Sequence, residues 1–333
     1  MKKVLSVLLA VLMLCALFAG CGSKTETPAP EDNAPAADTN TVAVGAVVIA
    51  RDDVPEADIY AFVSTIFENT AAIKEQHAKG GELSLEFASS VTSVPYHPGA
   101  AKYFEEKGAK VASVKEGAGT GTSKALTFGT GGESGTYYGF GGVLSSYVSG
   151  NSDVAVTAVT SDGSKANVED LAAGDVQIAF VQSDVMSYAY NGERLFDTKV
   201  EGFSVVAALY MEQVQIVTTN PAIKTVADLA GKKVSIGAAG SGVYFNAVDV
   251  LGAYGLTEDD IKPAYQSFGD SADSLKDGKL DAAFIVAGAP TTAITDLATA
   301  GNVYLVSLDE EHVNGLLKAS PFYSAYTIPA GTY

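Results

Sequence analysis

Leu126–Phe128 is a short apolar run, and the ten residues after it, Gly129-Thr130-Gly131-Gly132-Glu133-Ser134-Gly135-Thr136-Tyr137-Tyr138, hold four glycines before helical spacing resumes. Backbone that leaves a strand through glycines and opens a helix presents unpaired N–H groups in one direction. With the positive end of the helix dipole behind them, they hold an anion. The hydroxyls of this loop add side-chain donors. No Lys follows to make a Walker loop, and Ser134 stands where the third glycine of a dinucleotide fingerprint belongs. The Gly-x-Ser-x-Gly nucleophile elbow is absent too. A glycine-rich turn without a ligand stays open on the loop alone.

The same strand-to-helix punctuation recurs. Strands are predicted at 154–159, 176–181, 203–210, 214–219, 234–237, 282–286 and 303–308, with a helix at 164–173. Met211-Glu212-Gln213 separates two of these strands. Gln182-Ser183-Asp184, Gly240-Ser241-Gly242 and Gly288-Ala289-Pro290 each follow a strand. Alternation of this kind predicts α/β architecture with parallel sheets covered on both faces, and ligands in such sheets bind beyond the carboxyl ends of the strands.

Upstream, Thr41–Ala50 is an unbroken apolar strand, long enough to cross between two lobes. Asp53-Val54-Pro55-Glu56 starts a helix over 56–69, with Ile59, Phe62, Val63, Ile66 and Phe67 on one face. Further helices are predicted at 71–78, 83–88 and 100–107, and the glycine-rich 111–124 is a linker by composition. The expected division is lobe 1 over 41–110 and 125–213 and lobe 2 over 214–326, with 327–333 returning toward the hinge.

Met1-Lys2-Lys3 and the apolar run Val4–Gly20 have the form of an export signal. Phe18-Ala19-Gly20-Cys21 resembles a bacterial lipobox, so Cys21 is the expected lipid attachment and residues 22–40 a polar tether spanning about 25 Å on average. Membrane contact is then through the lipid anchor only. The two cysteines, Cys15 and Cys21, both lie in this leader, which leaves no disulfide or thiolate metal site for the body. His77, His97 and His312 lack metal-ligand spacing and read as surface or loop residues. A net charge of −18 argues against nucleic acid, and the two arginines, Arg51 and Arg194, leave few forks for a carboxylate. Neither metal nor cofactor is expected.

Gly129–Tyr138, Gln182–Asp184 with Tyr188–Gly192, Gly240–Gly242 with Asn246-Ala247, and Asp281–Phe284 through Gly288–Pro290 together resemble the TAXI family, the solute receptors of TRAP transporters. Val54-Pro55-Glu56 and His97–Tyr103 are similar to that family's closing helices, although there they follow the segment resembling Thr327–Tyr333. The chain therefore looks circularly permuted, or its reading frame was assembled in permuted order. The resemblance implies a type II periplasmic-binding-protein-like fold, two lobes with parallel-rich sheets joined by crossing hinge strands. It also implies a membrane permease of the TRAP type as partner and a small carboxylate or amino acid, such as glutamate, glutamine or 2-oxoglutarate, as ligand. The expected ligand contacts are Thr130, Gly131, Gly132, Tyr137, Tyr138, Gln182, Ser183, Tyr210, Gly240, Ser241, Gly242, Gly288 and Pro290. The alternative is an enzyme or sensor domain on the same bilobal fold. Glu133, Asp184 and Glu212 are the acids near the loops, with no His or Lys beside them, so binding without catalysis is favoured.

Overall fold

The computed structural model describes residues 37–122 and 125–333. The export signal, Cys21 and most of the expected tether lie outside the described residues. The first strand, β1 (Thr39–Arg51), begins two residues inside that tether. Helices α1 (Glu56–Phe67), α2 (Thr70–Gln76), α3 (Leu85–Ala88) and α4 (Pro98–Glu106) follow. The βα rhythm then runs β2 (Ala125–Gly129), α5 (Thr136–Asn151), β3 (Ala155–Val159), α6 (Ser164–Ala173), β4 (Ile178–Gln182), α7 (Ser183–Asn191) and β5 (Phe203–Thr218). It continues with β6 (Lys233–Ser235), α8 (Val243–Ala253), β7 (Lys262–Ala264), α9 (Phe268–Lys276) and β8 (Ala282–Ala287). Last come α10 (Thr292–Ala300), β9 (Tyr304–Leu305), α11 (Glu310–Ala319) and β10 (Ser324–Ile328).

All ten strands join one sheet in the order β3-β2-β4-β1-β5-β8-β6-β7, with β10 beside β1 and β9 beside β5. Two parallel trios, β3-β2-β4 and β8-β6-β7, flank the antiparallel pair β1 and β5. This is α/β architecture with a mixed central sheet. The trios are the parallel-rich sheets expected, and β1 and β5 are the strands that cross between them. Each central strand serves two cores. Val42 and Val44 of β1 pack with Val214 and Ile216 of β5 around α8 and α11, whereas Ala46–Ala50 pack with 203–210 around α1, α4 and α5. Burying a Val or Ile side chain contributes about 1.5–3 kcal/mol, so this run holds both halves together.

The two strands predicted at 203–210 and 214–219 are one strand, β5; Met211-Glu212-Gln213 carries the ladder through, with Gly45 opposite Met211. The strand predicted at 303–308 is reduced to Tyr304-Leu305. β10 and α9 had no predicted counterpart. β1 pairs with 203–213 of β5 and with β10, not with the ladder of Val214–Thr219, though Thr41 Oγ1 donates to the Val214 carbonyl. The segment 111–124 is fastened in part: Tyr96 N–H donates to the Ser113 carbonyl and Lys115 N–H to that of Tyr96. His97, expected on the surface, is fully buried. Its Nδ1 accepts from Gly99 N–H at the start of α4 and its Nε2 sits 2.9 Å from the Val54 carbonyl. Burial pushes the His97 imidazole down to about 4.

Candidate functional site

Register fixes where the two trios meet. Gln182, the last residue of β4, lies opposite Ala46, which lies opposite Tyr210. Ala287, the last residue of β8, lies opposite Gln213. The carboxyl ends of both trios therefore face each other across Tyr210–Gln213, the place where α/β sheets put their ligands.

A cavity of about 130 Å³ lies there. Its walls are the starts of α5 (Thr136, Tyr137), α6 (Ser164), α8 (Gly242, Val243) and α9 (Phe268, Gly269), with the loops that precede them. The first N–H groups of a helix have no acceptor in their own helix. Gathering these starts on one void makes it a donor-rich, positive environment without any basic side chain. Opposing walls are joined directly. Ala166 N–H donates to the Gly240 carbonyl at 2.9 Å, Thr136 Oγ1 to the Gly288 carbonyl at 3.1 Å, and Ala293 N–H to the Ser134 carbonyl at 3.2 Å.

Of the expected ligand contacts, Gly131, Gly132, Tyr137, Gln182, Ser241 and Gly242 line the cavity. Thr130 does not: it is fully buried, and its hydroxyl donates to the Val159 carbonyl at 2.6 Å. Ser183 Oγ accepts from Gly45 N–H, fixing α7 to β1. Tyr210 lies behind the wall, edge-on to Phe140 and Phe180. Tyr138, Gly240, Gly288 and Pro290 also stand outside the lining, and the carbonyls of Gly240 and Gly288 take the bridges just described. Ser241 Oγ donates to the Ala238 carbonyl, which closes a turn. The hydroxyls of Thr130, Ser183 and Ser241 thus all have partners within the protein.

Sequence reasoning missed Ser161–Ser164 and Gln266–Gly269, which also line the void. Both precede helices after strands, the same signal that marked Gly129 and Gly240. It missed Asn167 as well, whose Nδ2 donates to the carbonyls of Thr130 and Phe180 at 2.7 Å and so ties the first glycine loop to β4.

Glu212 sits at the floor, 2% exposed, and Tyr137 Oη donates to its Oε2 at 2.6 Å. Tyr137 is placed for this by stacking on Phe180, ring centres 4.6 Å apart. Burial raises Glu212 to about 8, against the lowering pull of the Tyr137 bond. Asp184 is fully buried beside the cavity and is pushed up to about 6, again chiefly by burial. Its Oδ2 accepts from Asn246 Nδ2, and Asn246 Oδ1 accepts from Gln182 Nε2. Among the described residues no group of three His, Cys, Asp or Glu is arranged to hold a metal.

Fold and site together define an α/β protein with a partly enclosed cavity at facing strand ends. The chain belongs to the NMT1-like family, whose profile matches residues 25–108 and 128–333. Among solved structures it is similar to the alkanesulfonate-binding protein SsuA from Xanthomonas axonopodis pv. citri bound to MOPS. That match has 21% identity over 56% of this chain and 62% of that one, with a TM-score of 0.40. It is similar to the periplasmic aliphatic sulphonate binding protein SsuA from Escherichia coli at 20% identity, over 64% of this chain and 63% of that one, with a TM-score of 0.37. A third similarity is to an ancestral arginine-binding protein bound to arginine, at 18% identity over 56% and 79% of the two chains, with a TM-score of 0.37. The chain spans less than two thirds of the length of either sulfonate-binding protein.

Proposed function

We propose that this protein is an extracytoplasmic solute receptor, a binding protein without catalytic activity, that encloses a small carboxylate or amino acid. The observation that carries this reading is the partly enclosed cavity between opposing helix starts, bridged by backbone hydrogen bonds from wall to wall. Unpaired N–H groups at the starts of α5 and α8 suit a carboxylate, and no nucleophile with a base stands among the lining residues. A TRAP-type permease is the partner in this reading, and Cys21 anchors the receptor to the membrane. The test is native mass spectrometry of protein purified from its source, followed by a thermal-shift screen of amino acids and carboxylates. A solute present at about 1,000 times its dissociation constant stabilises the folded state by roughly 4 kcal/mol. Absence of both a carried solute and any upward shift would end the receptor reading.

A further inference from the structure

Among the described residues that line the cavity there is no lysine, arginine or histidine, but there is Glu212. Tyr137 Oη alone is too little to satisfy an ionised carboxylate, which accepts at both oxygens. A second acceptor adjoins it, and its orientation follows from the bonds behind. Asp184 accepts from Asn246, so the Asn246 amide nitrogen faces Asp184 and Tyr323 and its oxygen faces Gln182. Gln182 must then donate from Nε2, and its Oε1 is left at the wall, buried, with no hydrogen-bond partner. The mouth has the same bias. Glu133 and Asp162 line both the cavity and the depressions outside it, where Asp170, Asp270, Asp273 and the ion pair of Lys279 with Asp277 also stand. Such a field draws cations inward and turns dianions away.

We propose that the solute carries a protonated nitrogen that docks on Glu212, with any carboxylate it bears turned to the helix starts. This rests on the receptor reading and narrows it, since carboxylates lacking an amine fall outside. The groups facing Glu212 agree. Tyr137 of α5 donates to it, Tyr210 of β5 and Asp184 of α7 stand nearby, and Lys79 is the cation in reach. Lys79 is already paired with Glu82 at 2.6 Å and does not line the cavity. In the empty protein burial keeps a proton on Glu212 at neutral pH. A docked ammonium favours the ionised carboxylate, so binding expels that proton and affinity climbs with pH up to about 8, by at most about tenfold per pH unit.

The experiment uses the full chain and a panel of the twenty L-amino acids, with glutarate and 2-oxoglutarate as amine-free probes. Thermal shift finds binders; calorimetry of the tightest, in buffers of different ionisation enthalpy, counts protons. Expected are binding by at least one amino acid, proton release at pH 7, and at least tenfold weaker binding in Glu212→Gln. That variant keeps the side chain's size and an acceptor for Tyr137, and circular dichroism verifies its fold. Tighter binding of glutarate or 2-oxoglutarate, unchanged affinity in Glu212→Gln, or no proton release each overturn the proposal while the receptor reading stands. Where no probe binds, the solute carried through purification decides: one containing an amine upholds the proposal and one lacking nitrogen overturns it. An empty protein ends both.

Discussion

Asp184 shows how much one side chain can set. Fully buried and hydrogen-bonded to Asn246, it fixes the amide orientation of Asn246 and, through it, that of Gln182. Burial lifts its carboxyl from the ordinary 3.8 to about 6, so the folded state holds a proton that the unfolded chain releases. The sign follows. Stability from this group is fully present below about pH 4 and is lost as pH rises to about 6, on the order of 3 kcal/mol. Asp184→Asn removes the titration and retains an oxygen for Asn246. Its melting temperature should fall less than that of the wild type between pH 4.5 and 7; parallel melting curves across that range would contradict the assignment. Neither this role nor that of Glu212 is legible in sequence. Both acids sit beside loops of small polar residues and look solvated there, and only the register of β5 brings Glu212 under the cavity.

At the scale of elements, α8 meets β4 across the cavity with almost no clearance. A Cβ added at Gly242 would lie 1.6 Å from Gln182 Oε1 and 3.0 Å from Ser164 Oγ. Gln182 is held by Asn246 and cannot swing aside without breaking that bond. Gly242→Ala should therefore cost about 1–3 kcal/mol, the usual penalty of overpacking. Gln182→Ala in the same chain should restore part of the loss, because the two changes share one contact. Additive losses in the melting temperatures of the single and double variants would refute this. The glycine signal at 240–242 was visible in sequence because close approach demands glycine. α9 was missed although Phe268, Ala272 and Leu275 stand at helical spacing, because the Gly, Asp and Ser residues between them resemble a loop. The hydroxyls of Thr130 and Ser183 bond to distant backbone, at Val159 and Gly45, partners that sequence does not reveal.

For the molecule as a whole, residues 37–122 and 125–333 share one sheet, and the first and last described segments lie together. Thr39 faces Ile328 in the ladder between β1 and β10, and Ala330 N–H donates to Asp38 Oδ1 at 2.9 Å. These are the ends that a hairpin would join. The resemblance places 41–108 after 327–333, and a permuted chain tests whether that order folds alike. A variant that begins at Ala125, runs to Tyr333 and continues through a short loop into Asp38–Thr122 should fold with nearly unchanged melting temperature. Failure of this variant to give a cooperative transition would refute the equivalence of the two orders. The α/β alternation and the crossing strand were legible because burial on both faces leaves a continuous apolar run, whereas β10, exposed along most of its length, carries no such pattern.

The bonds from wall to wall have a consequence in time. Ala166 to Gly240, Thr136 to Gly288, Ala293 to Ser134 and Gln182 to Asn246 all span the cavity, so a solute inside leaves only after they break together. Substitutions along this seam will accordingly change how long a solute stays and leave its rate of capture nearly untouched. In the receptor reading, this seam is the clock of the protein.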